Sequence, residues 1–290
     1  MDKEGMLAII QAYVSRMPAL PVTVAKVLEI CNNPKTSPVD LNQVISLDPV
    51  LMGKVMRLIN SAYYSLPNQI TSLVRAIIML GINTVKNLAL STAVLGTLGR
   101  AGDFQALNME GFWRHSIAVG VTAKLIASKR NVDPKAREEF FIAGLLHDIG
   151  KIPLNNRMAK EYMQAVALTD REHIPLYRSE ERLLLVHHAE VGKIIVDNWR
   201  LGADLSDAVH YHHHLGQYTG AHRTLVLAVA AANLFSNTCE LGFSGDRYPE
   251  NLPPGAMEEL GIDWEYLESI EDNVKAEISA FTLSSMLSRY

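Results

Sequence analysis

Residues 140–151 read FFIAGLLHDIGK, and this segment sets the interpretation of the rest of the sequence. Its apolar run predicts a helix that ends at His147 and Asp148, with Gly150 as the helix terminator. An imidazole beside a carboxylate offers one nitrogen and one oxygen ligand to a metal ion. Because consecutive helical residues diverge by about 100°, the two side chains can address one ion only at a helix end or in a confined cavity.

The distribution of histidines supports a metal site more strongly than the His-Asp pair alone. All ten histidines lie between His115 and His222, and the first 114 residues contain none. Imidazole is a ligand common to zinc, iron, nickel and copper sites. The predicted metal site therefore lies in the second part of the chain.

The whole sequence predicts an all-α fold. Apolar residues recur at helical spacing along the chain, and no segment alternates with period two for long enough to indicate a sheet. Ser37-Pro38, Asp48-Pro49 and Asp133-Pro134 each place a capping side chain before a proline suited to a first helical turn. The predicted helices span approximately residues 7–16, 39–46, 49–61, 72–80, 83–98, 110–130, 159–169, 180–199, 225–237 and 262–286, with further helices starting near Val24 and ending at His147.

Composition places the chain among ordinary globular proteins. Of the 290 residues, 48% are hydrophobic and 20% are charged, and the net charge of −4 gives no general attraction to nucleic acid. No apolar run approaches the roughly 20 residues of a membrane-spanning helix, and the N-terminus does not open a signal peptide. Cys31 and Cys239 show no disulfide framework. We therefore expect a cytoplasmic protein without a membrane partner, and nucleic acid is not an expected ligand.

Several short motifs in the first half carry a family resemblance. They are Leu20-Pro21, Leu47-Asp48-Pro49-Val50-Leu51, Leu58-Ile59-Asn60-Ser61-Ala62-Tyr63-Tyr64, Ala76-Ile77 and Leu80-Gly81. This run resembles the HDOD domain, an HD-related output domain of bacterial signalling proteins, and the resemblance covers about residues 17–215. Physically, Asp48-Pro49 looks like a helix start, and Asn60-Ser61 looks like a pair that binds backbone groups at a helix end.

The resemblance implies a division of the chain into three parts. Residues 1–16 are expected to form an N-terminal helix. Residues 17–238 are expected to form the HDOD domain, with a helical lobe over 17–105 and an HD-like lobe over 106–238. For the extension over 239–290 we expect a role in packing or in self-association as a homodimer.

Six residues of the second lobe follow the order typical of the HD superfamily of metal-dependent phosphohydrolases, namely His115, His147, Asp148, His188, His212 and His213. By analogy with two-metal HD enzymes, His115 and His147 would hold one ion, Asp148 would bridge, and the three later histidines would hold its neighbour. Nitrogen-rich ligation with a carboxylate favours iron or manganese, with zinc or nickel as alternatives. Lys151 would stabilise charge on phosphoryl oxygens.

Three features depart from the catalytic members of the superfamily. The late aspartate is replaced by Asn233, a neutral and weaker ligand. Position 111, where trinuclear enzymes offer a carboxylate, is Gly111, and the Gly-Tyr-Pro loop of cyclic-di-GMP phosphodiesterases is missing after His213. The sequence also leaves open which imidazoles face inward. His187, His210 and His214 are alternatives to the neighbouring predicted ligands.

Two classes of function fit these observations. The first is a signal-transduction protein that acts through protein interaction or ligand sensing, with a retained transition-metal site. The second is a metal-dependent phosphohydrolase or phosphodiesterase acting on a nucleotide or cyclic dinucleotide. Asn233 and the missing loop damage catalysis more than binding, so the first interpretation is favoured.

Overall fold

A computed structural model describes residues 2–17, 19–60, 68–98, 106–134 and 136–286, with side chains up to residue 279. Within these ranges the chain forms helices and no strand, which confirms the all-α prediction. Part of the motif over 58–64 and the break predicted at 99–103 lie outside the described residues. The helices are α1 Lys3–Val14, α2 Val22–Cys31, α3 Pro38–Ser46, α4 Pro49–Ile59, α5 Leu73–Leu80, α6 Ile82–Leu98, α7 Met109–Lys129, α8 Arg137–Leu146, α9 Lys151–Arg157, α10 Ala159–Glu172, α11 Leu176–Leu184, α12 His188–Asn198, α13 Ala203–Tyr211, α14 Arg223–Thr238, α15 Ala256–Leu260, α16 Trp264–Ser269 and α17 Glu271–Met286.

Helices α2 to α6 pack on one another and form what we call the N-terminal lobe. The predicted starts of two of its helices are confirmed. Ser37 accepts a hydrogen bond from the Asp40 amide, and the Asp40 carboxylate accepts one from the Ser37 amide, which together satisfy both ends of a capping box. Asp48 accepts from the amides of Val50 and Leu51 at the start of α4. Each cap uses a polar side chain to satisfy backbone donors.

Asn60 closes the end of α4 as its motif predicts. Its amide nitrogen donates to the Met56 and Ile70 carbonyls at 3.0 and 2.8 Å, and its carbonyl oxygen accepts from the Ile70 amide at 2.7 Å. The Asn60 side chain therefore satisfies both the amide and the carbonyl of Ile70 and holds that residue beside the end of α4. Gly81, at a φ of 91°, then makes the predicted turn between α5 and α6.

Helices α7, α8 and α14 form the centre of what we call the C-terminal lobe, residues 106–238. Helix α7 is buried along most of its length, as predicted for a central helix. It crosses α8 where Gly120 meets Gly144, and a Cβ at Gly144 would lie 2.6 Å from the Gly120 Cα. This close crossing brings His115 of α7 towards His147 at the end of α8.

The prediction that Gly150 terminates the helix is wrong. Helix α8 ends at Leu146, residues 147–150 form turns, and Gly150 precedes α9 with an ordinary helical φ of −66°. Instead, helix α12 packs directly against Gly150. A Cβ there would overlap the His188 carbonyl oxygen, and Gly192 lies against the same point. The glycine therefore permits the backbone of α12 to approach the His-Asp motif.

Three other predicted boundaries differ from the structure. The helix predicted over 180–199 divides into α11 and α12, because Leu185 adopts a left-handed conformation with a φ of 65°. The helix predicted over 262–286 divides into α16 and α17, and Asp263 caps the first of these. Helix α8 begins at Arg137, because the chain first makes a turn in which the Asp133 carbonyl accepts from the amides of Ala136 and Arg137.

The C-terminal extension packs on the C-terminal lobe and also contacts the N-terminal lobe. Helix α17 packs against α7 and α4, and the Phe243 amide donates to the Gly111 carbonyl at 2.9 Å. Helix α1 packs on α9 and α12. Within the part of the chain that the structure describes, no single helix is long and apolar enough to cross a membrane, and α5 with α6 reaches that length and hydropathy only as a pair bent by 116°.

Candidate metal centre

The structure brings together six predicted ligands from four helices and the turns beside them. We call them the inner centre, and they are His115, His147, Asp148, His188, His212 and His213. Their donor atoms fall into two groups, in each of which the atoms lie within 4.8 Å of one another. All but His213 are buried, with at most 3% of the residue exposed.

The first group consists of His115, His147 and Asp148. The Asp148 Oδ2 lies 3.3 Å from the His147 Nε2 and 3.8 Å from the His115 Nε2. Two ligands about 2.1 Å from one ion stand roughly 3.0–3.5 Å apart at bond angles near 90–110°. The group therefore has about the spacing of donors that share an ion.

The second group consists of His188, His212 and His213. The His188 Nε2 lies 3.3 Å from the His212 Nε2 and 3.1 Å from the His213 Nε2. It also lies 3.1 Å from the Asp148 Oδ1. Asp148 thus directs one oxygen to each group, which is the geometry required of a bridging carboxylate.

In two of the histidines, the hydrogen bond made by Nδ1 determines that Nε2 is the nitrogen facing the centre. The His147 Nδ1 lies 2.7 Å from the Gly144 carbonyl, and the His212 Nδ1 lies 2.8 Å from the Val209 carbonyl. A carbonyl only accepts, so both Nδ1 atoms donate, and each ring in its neutral form directs an Nε2 lone pair inward. Among the described residues, the buried His147 Nε2 and Asp148 Oδ1 have no hydrogen-bond partner. This is the pattern of ligands that await a cation.

Glu180 orients His188, and the sequence reasoning did not single it out. Its Oε2 accepts from the His188 amide at 2.8 Å and from the His188 Nδ1 at 2.7 Å, while its Oε1 accepts from the Tyr162 hydroxyl at 2.7 Å. Glu180 is fully buried. The break at Leu185 lets α11 run back alongside His188, so a continuous helix over 180–199 would have hidden this pairing.

Lys151 binds the Asp148 oxygen that also faces His115 and His147. Its Nζ donates to the Asp148 Oδ2 at 2.7 Å and to the Ser244 carbonyl at 3.1 Å, and only 2% of the residue is exposed. The C-terminal extension therefore contacts the lysine that binds the centre, although its sequence carries no recognisable chemical motif. A single carbonyl acceptor such as Ser244 leaves no signal in a sequence.

Asn233 lies beside the first group, as predicted. Its Oδ1 is 3.1 Å from the His115 Nε2 and accepts from the Asn237 Nδ2 at 2.9 Å. The amide can offer an oxygen to an ion but adds no charge. Asn237 is a further residue that the sequence reasoning missed, and it fixes which end of the Asn233 amide faces His115.

Comparison with known proteins places this chain in a family. Residues 17–215 match the family model of the HDOD domain. The chain belongs to the HDOD family. This result confirms the resemblance carried by the motifs of the N-terminal lobe.

Solved structures similar to this HDOD protein share its whole fold. An HDOD domain protein of unknown function from Geobacter sulfurreducens is 26% identical, with a TM-score of 0.78 over 97% of this chain and 99% of that chain. A Marinobacter aquaeolei VT8 protein provisionally named a signal transduction protein is 21% identical, with a TM-score of 0.75 over 99% of this chain and 66% of that chain. A Shewanella amazonensis SB2B protein provisionally named a phosphohydrolase is 21% identical, with a TM-score of 0.71 over 94% and 97% of the two chains.

A curated relative is longer than this HDOD chain. An uncharacterized protein from Treponema pallidum (strain Nichols) is 23% identical over 229 residues, which are 79% of this chain and 44% of that protein. This chain therefore spans less than half the length of that relative.

Burial and neighbouring charges set the ionisation of the inner centre. Burial, with a smaller contribution from His147, lowers the pKa of His115 to about 3. Burial alone would raise the pKa of Asp148, but the charges of His147, Lys151 and His188 outweigh it and hold that pKa well below its ordinary range. Burial likewise opposes a charged His188, but Glu180 and Asp148 raise its pKa above 6.5 overall. A proton on His188 therefore stands in for part of the positive charge that the site attracts.

The alternative histidines separate clearly in space. Within the described part of the chain, His210 belongs to neither group of the inner centre, and His187 and His214 lie together in a third group with Glu181. The structure thus directs His188, His212 and His213 into the inner centre and directs His187 and His214 elsewhere.

Proposed function

We propose that this HDOD protein is a signal-transduction protein whose C-terminal lobe binds one or two transition-metal ions at the inner centre. It acts through protein interaction or ligand sensing, and its partners are signalling proteins and a nucleotide or cyclic dinucleotide. The observation that carries the proposal is the convergence of buried imidazole nitrogens on the two oxygens of Asp148, one group of histidines on each oxygen.

Electrostatics explains why this convergence favours a metal ion. The Nε2 atoms of His188 and His212, 3.3 Å apart, would repel each other if both rings were neutral, so a proton or a metal ion is needed between them, and a buried polar atom without a partner costs about 1–3 kcal/mol. A cation between the rings converts both costs into favourable interactions. The carbonyls behind His147 and His212, and Glu180 behind His188, then hold the rings in the ligating orientation.

The donor set favours iron or manganese, with zinc or nickel as alternatives. Five imidazoles and one carboxylate suit these borderline ions better than magnesium or calcium, which prefer oxygen. Asn233 takes the place of a second carboxylate near His115, so the first group carries less negative charge than the superfamily pattern offers. We therefore expect the second group to bind more tightly than the first.

Burial favours sensing over turnover. His147, Asp148 and His188 are fully buried, and Lys151 is bound to Asp148 and to the Ser244 carbonyl. A phosphodiester substrate would have to displace these contacts in order to reach the centre. A sensor, in contrast, needs only an ion that stabilises one arrangement of α8, α12 and α13.

The first test is elemental analysis of protein purified without chelators and then reconstituted with iron or manganese. We expect the wild type to hold one or two more equivalents than a His147→Ala, Asp148→Ala variant. A matched control, His173→Ala with Asp170→Ala, changes a histidine and a carboxylate outside the inner centre and is expected to keep the wild-type content. Equal metal in all three proteins would overturn the proposal.

The second candidate function is metal-dependent phosphohydrolysis, and the set of imidazole and carboxylate donors around Asp148 favours it. When bound, ions of this class act as Lewis acids towards a phosphoryl oxygen. Asp148 would then hold the ions in place, and the Lys151 ammonium, 2.7 Å from that carboxylate, would neutralise charge on the phosphoryl group.

Turnover separates the two candidates. Generic phosphodiester and phosphomonoester substrates, with Mn²⁺ added, are compared between the wild type and Asp148→Ala. Activity that disappears in the variant supports the hydrolase, with a Lys151→Met variant expected to lose most of it too. Equal background rates in a protein that binds metal leave the regulatory function in place.

A further inference from the structure

A third group of potential ligands lies outside the inner centre. It consists of Glu181 near the end of α11, His187 just before α12 and His214 just after α13. Their donor atoms lie within 4.8 Å of one another, and the three residues come from three separate parts of the chain. We call this group the outer cluster.

Tyr177 forms a shared wall between the two sites. Its ring stacks on His213 of the inner centre at a centroid distance of 4.7 Å. The same ring meets His214 edge-on at 5.3 Å and His187 at 6.1 Å. His187 and His214 lie 5.0 Å apart, with their planes inclined by 33°. The outer cluster is therefore adjacent to the inner centre but has its own donors.

His187 is the buried member of the outer cluster. Only 5% of its side chain is exposed, and among the described residues its buried Nδ1 has no hydrogen-bond partner. Its Nε2 lies 3.9 Å from the Glu181 Oε1 and 4.0 Å from the Glu190 Oε2, beyond hydrogen-bond distance. Two atoms that are each about 2.1 Å from one ion stand no more than about 4.2 Å apart. Both separations lie within that limit, and a small movement of the Glu181 side chain would bring its oxygen to the roughly 3.0–3.5 Å of ligands that share an ion.

The neighbouring charges add to this site. Glu190 accepts from the His187 amide at 3.3 Å and forms an ion pair with Lys3 at 2.6 Å, so its carboxylate is held beside the cluster. Glu181 has 43% of its side chain exposed, which gives solvent access to the site. A cation here would gain one direct carboxylate and one nearby carboxylate, and water could complete its coordination.

We infer that Glu181, His187 and His214 form a second transition-metal site, which takes a zinc-class ion with an open coordination position. Two imidazoles and one carboxylate are the ligand set of open zinc sites, and the nitrogen donors disfavour magnesium and calcium. Because solvent reaches Glu181, the ion exchanges more readily than one in the buried inner centre. The inference does not depend on the function proposed for that centre.

The test is a Zn²⁺ titration against a competing chromophoric chelator, with elemental analysis of the product. We expect His187→Gln with His214→Gln to bind one zinc equivalent fewer than the wild type, with at least 100-fold weaker affinity for that equivalent. Glu181→Gln, an exposed change that leaves packing intact, is expected to weaken it about tenfold. The control His173→Asn alters a histidine outside the cluster, at a left-handed position that asparagine accepts, and should change nothing.

The inner-centre variant makes the two proposals separable. A His147→Ala, Asp148→Ala protein should retain the zinc equivalent that is lost when His187→Gln and His214→Gln are added to it. Circular dichroism confirms that each protein is folded, and Glu181→Gln in the wild-type background carries the test if the inner variant unfolds. Zinc content and affinity equal to those of His173→Asn in both the double variant and Glu181→Gln would overturn the outer site.

Discussion

The two lobes use their motif residues in opposite ways. In the N-terminal lobe, Asp48 and Asn60 direct polar atoms at backbone groups of their own segment, and those hydrogen bonds are all made locally. In the C-terminal lobe, His147, Asp148 and His188 direct polar atoms at one another, and some of those atoms have no partner among the described residues.

This difference separates motifs that stabilise the chain from motifs that bind something. A satisfied cap contributes to folding whether or not a ligand is present. A converging set of acceptors contributes only when a proton or a metal ion occupies the point of convergence. Variants in the first lobe should therefore change stability alone, and variants in the second should change metal binding.

The largest expected effect is that of Gly150→Ala, which should lower both the stability of the fold and the metal content. A Cβ at Gly150 would overlap backbone atoms of His188 and Gly192, so α12 would have to move. We expect the free energy of unfolding to fall by about 3 kcal/mol or more, and metal content to fall with it, because His188 moves with α12. Urea unfolding followed by circular dichroism measures the first quantity, and elemental analysis measures the second.

Gly53 provides the matched control for that variant. It lies in the interior of α4 in the N-terminal lobe, and a Cβ there would have nothing within 4 Å. Gly53→Ala should stabilise the protein by about 0.5–1 kcal/mol, because alanine restricts the unfolded chain, and metal content should not change. Similar losses in both variants would contradict the close approach at Gly150.

The next effect isolates the positioning of His188. We expect Glu180→Gln to weaken metal binding by about 10- to 100-fold, because the carboxylate that fixes the ring and raises its basicity is lost. Equilibrium titration with Mn²⁺ or Fe²⁺ measures the change. Glu172→Gln removes an exposed carboxylate that pairs with Arg182 and is expected to leave the affinity unchanged. An unchanged affinity in Glu180→Gln would remove His188 from the ligand set.

A smaller effect follows from the proton on His188. Its pKa is raised above the ordinary 6.5 in the metal-free protein, because Glu180 and Asp148 outweigh the opposing effect of burial. This pairing therefore stabilises the metal-free fold fully below about pH 6.5, and the contribution is lost as the pH rises through the folded-state pKa. Metal binding must displace the same proton, so below that pKa the affinity should fall by about tenfold per pH unit.

Thermal unfolding and metal titration across pH test both signs. Between pH 6 and 9 the metal-free protein should lose stability as the pH rises, while metal affinity should increase and then level off. Glu180→Gln should flatten both profiles, because it removes the main group that raises the pKa. An affinity that is independent of pH over this range would show that His188 does not carry the displaced proton.

The sequence predicted those features that depend on local or ordered signals. Helical periodicity and the Asp48 and Asn60 motifs led to the all-α fold and to the construction of the first lobe. The order of histidines led to the residues that converge on Asp148. These signals work because each is carried by the residue type itself at a position that the sequence states directly.

The remaining features depend on the path of the chain. Glu180 reaches His188 only because Leu185 adopts a left-handed conformation, and a leucine gives no warning of such a break. Gly150 resembles a helix terminator, yet it serves the approach of α12, a contact between residues far apart in sequence. Ser244 contributes only a carbonyl, which every residue possesses. Long-range contacts of this kind are absent from local patterns.

The smallest expected effect tests the other side of the comparison. Asp48→Ala removes the side chain that accepts from the Val50 and Leu51 amides, so the free energy of unfolding should fall by about 1 kcal/mol. Asp48→Asn keeps a capping oxygen, so its free energy of unfolding should fall by only a few tenths of a kcal/mol. Metal content and affinity should match the wild type in both variants, since α4 contributes no donor to the inner centre. A loss of metal in Asp48→Ala, with the fold retained, would show that the two lobes are coupled and that the N-terminal motif also acts on the C-terminal site.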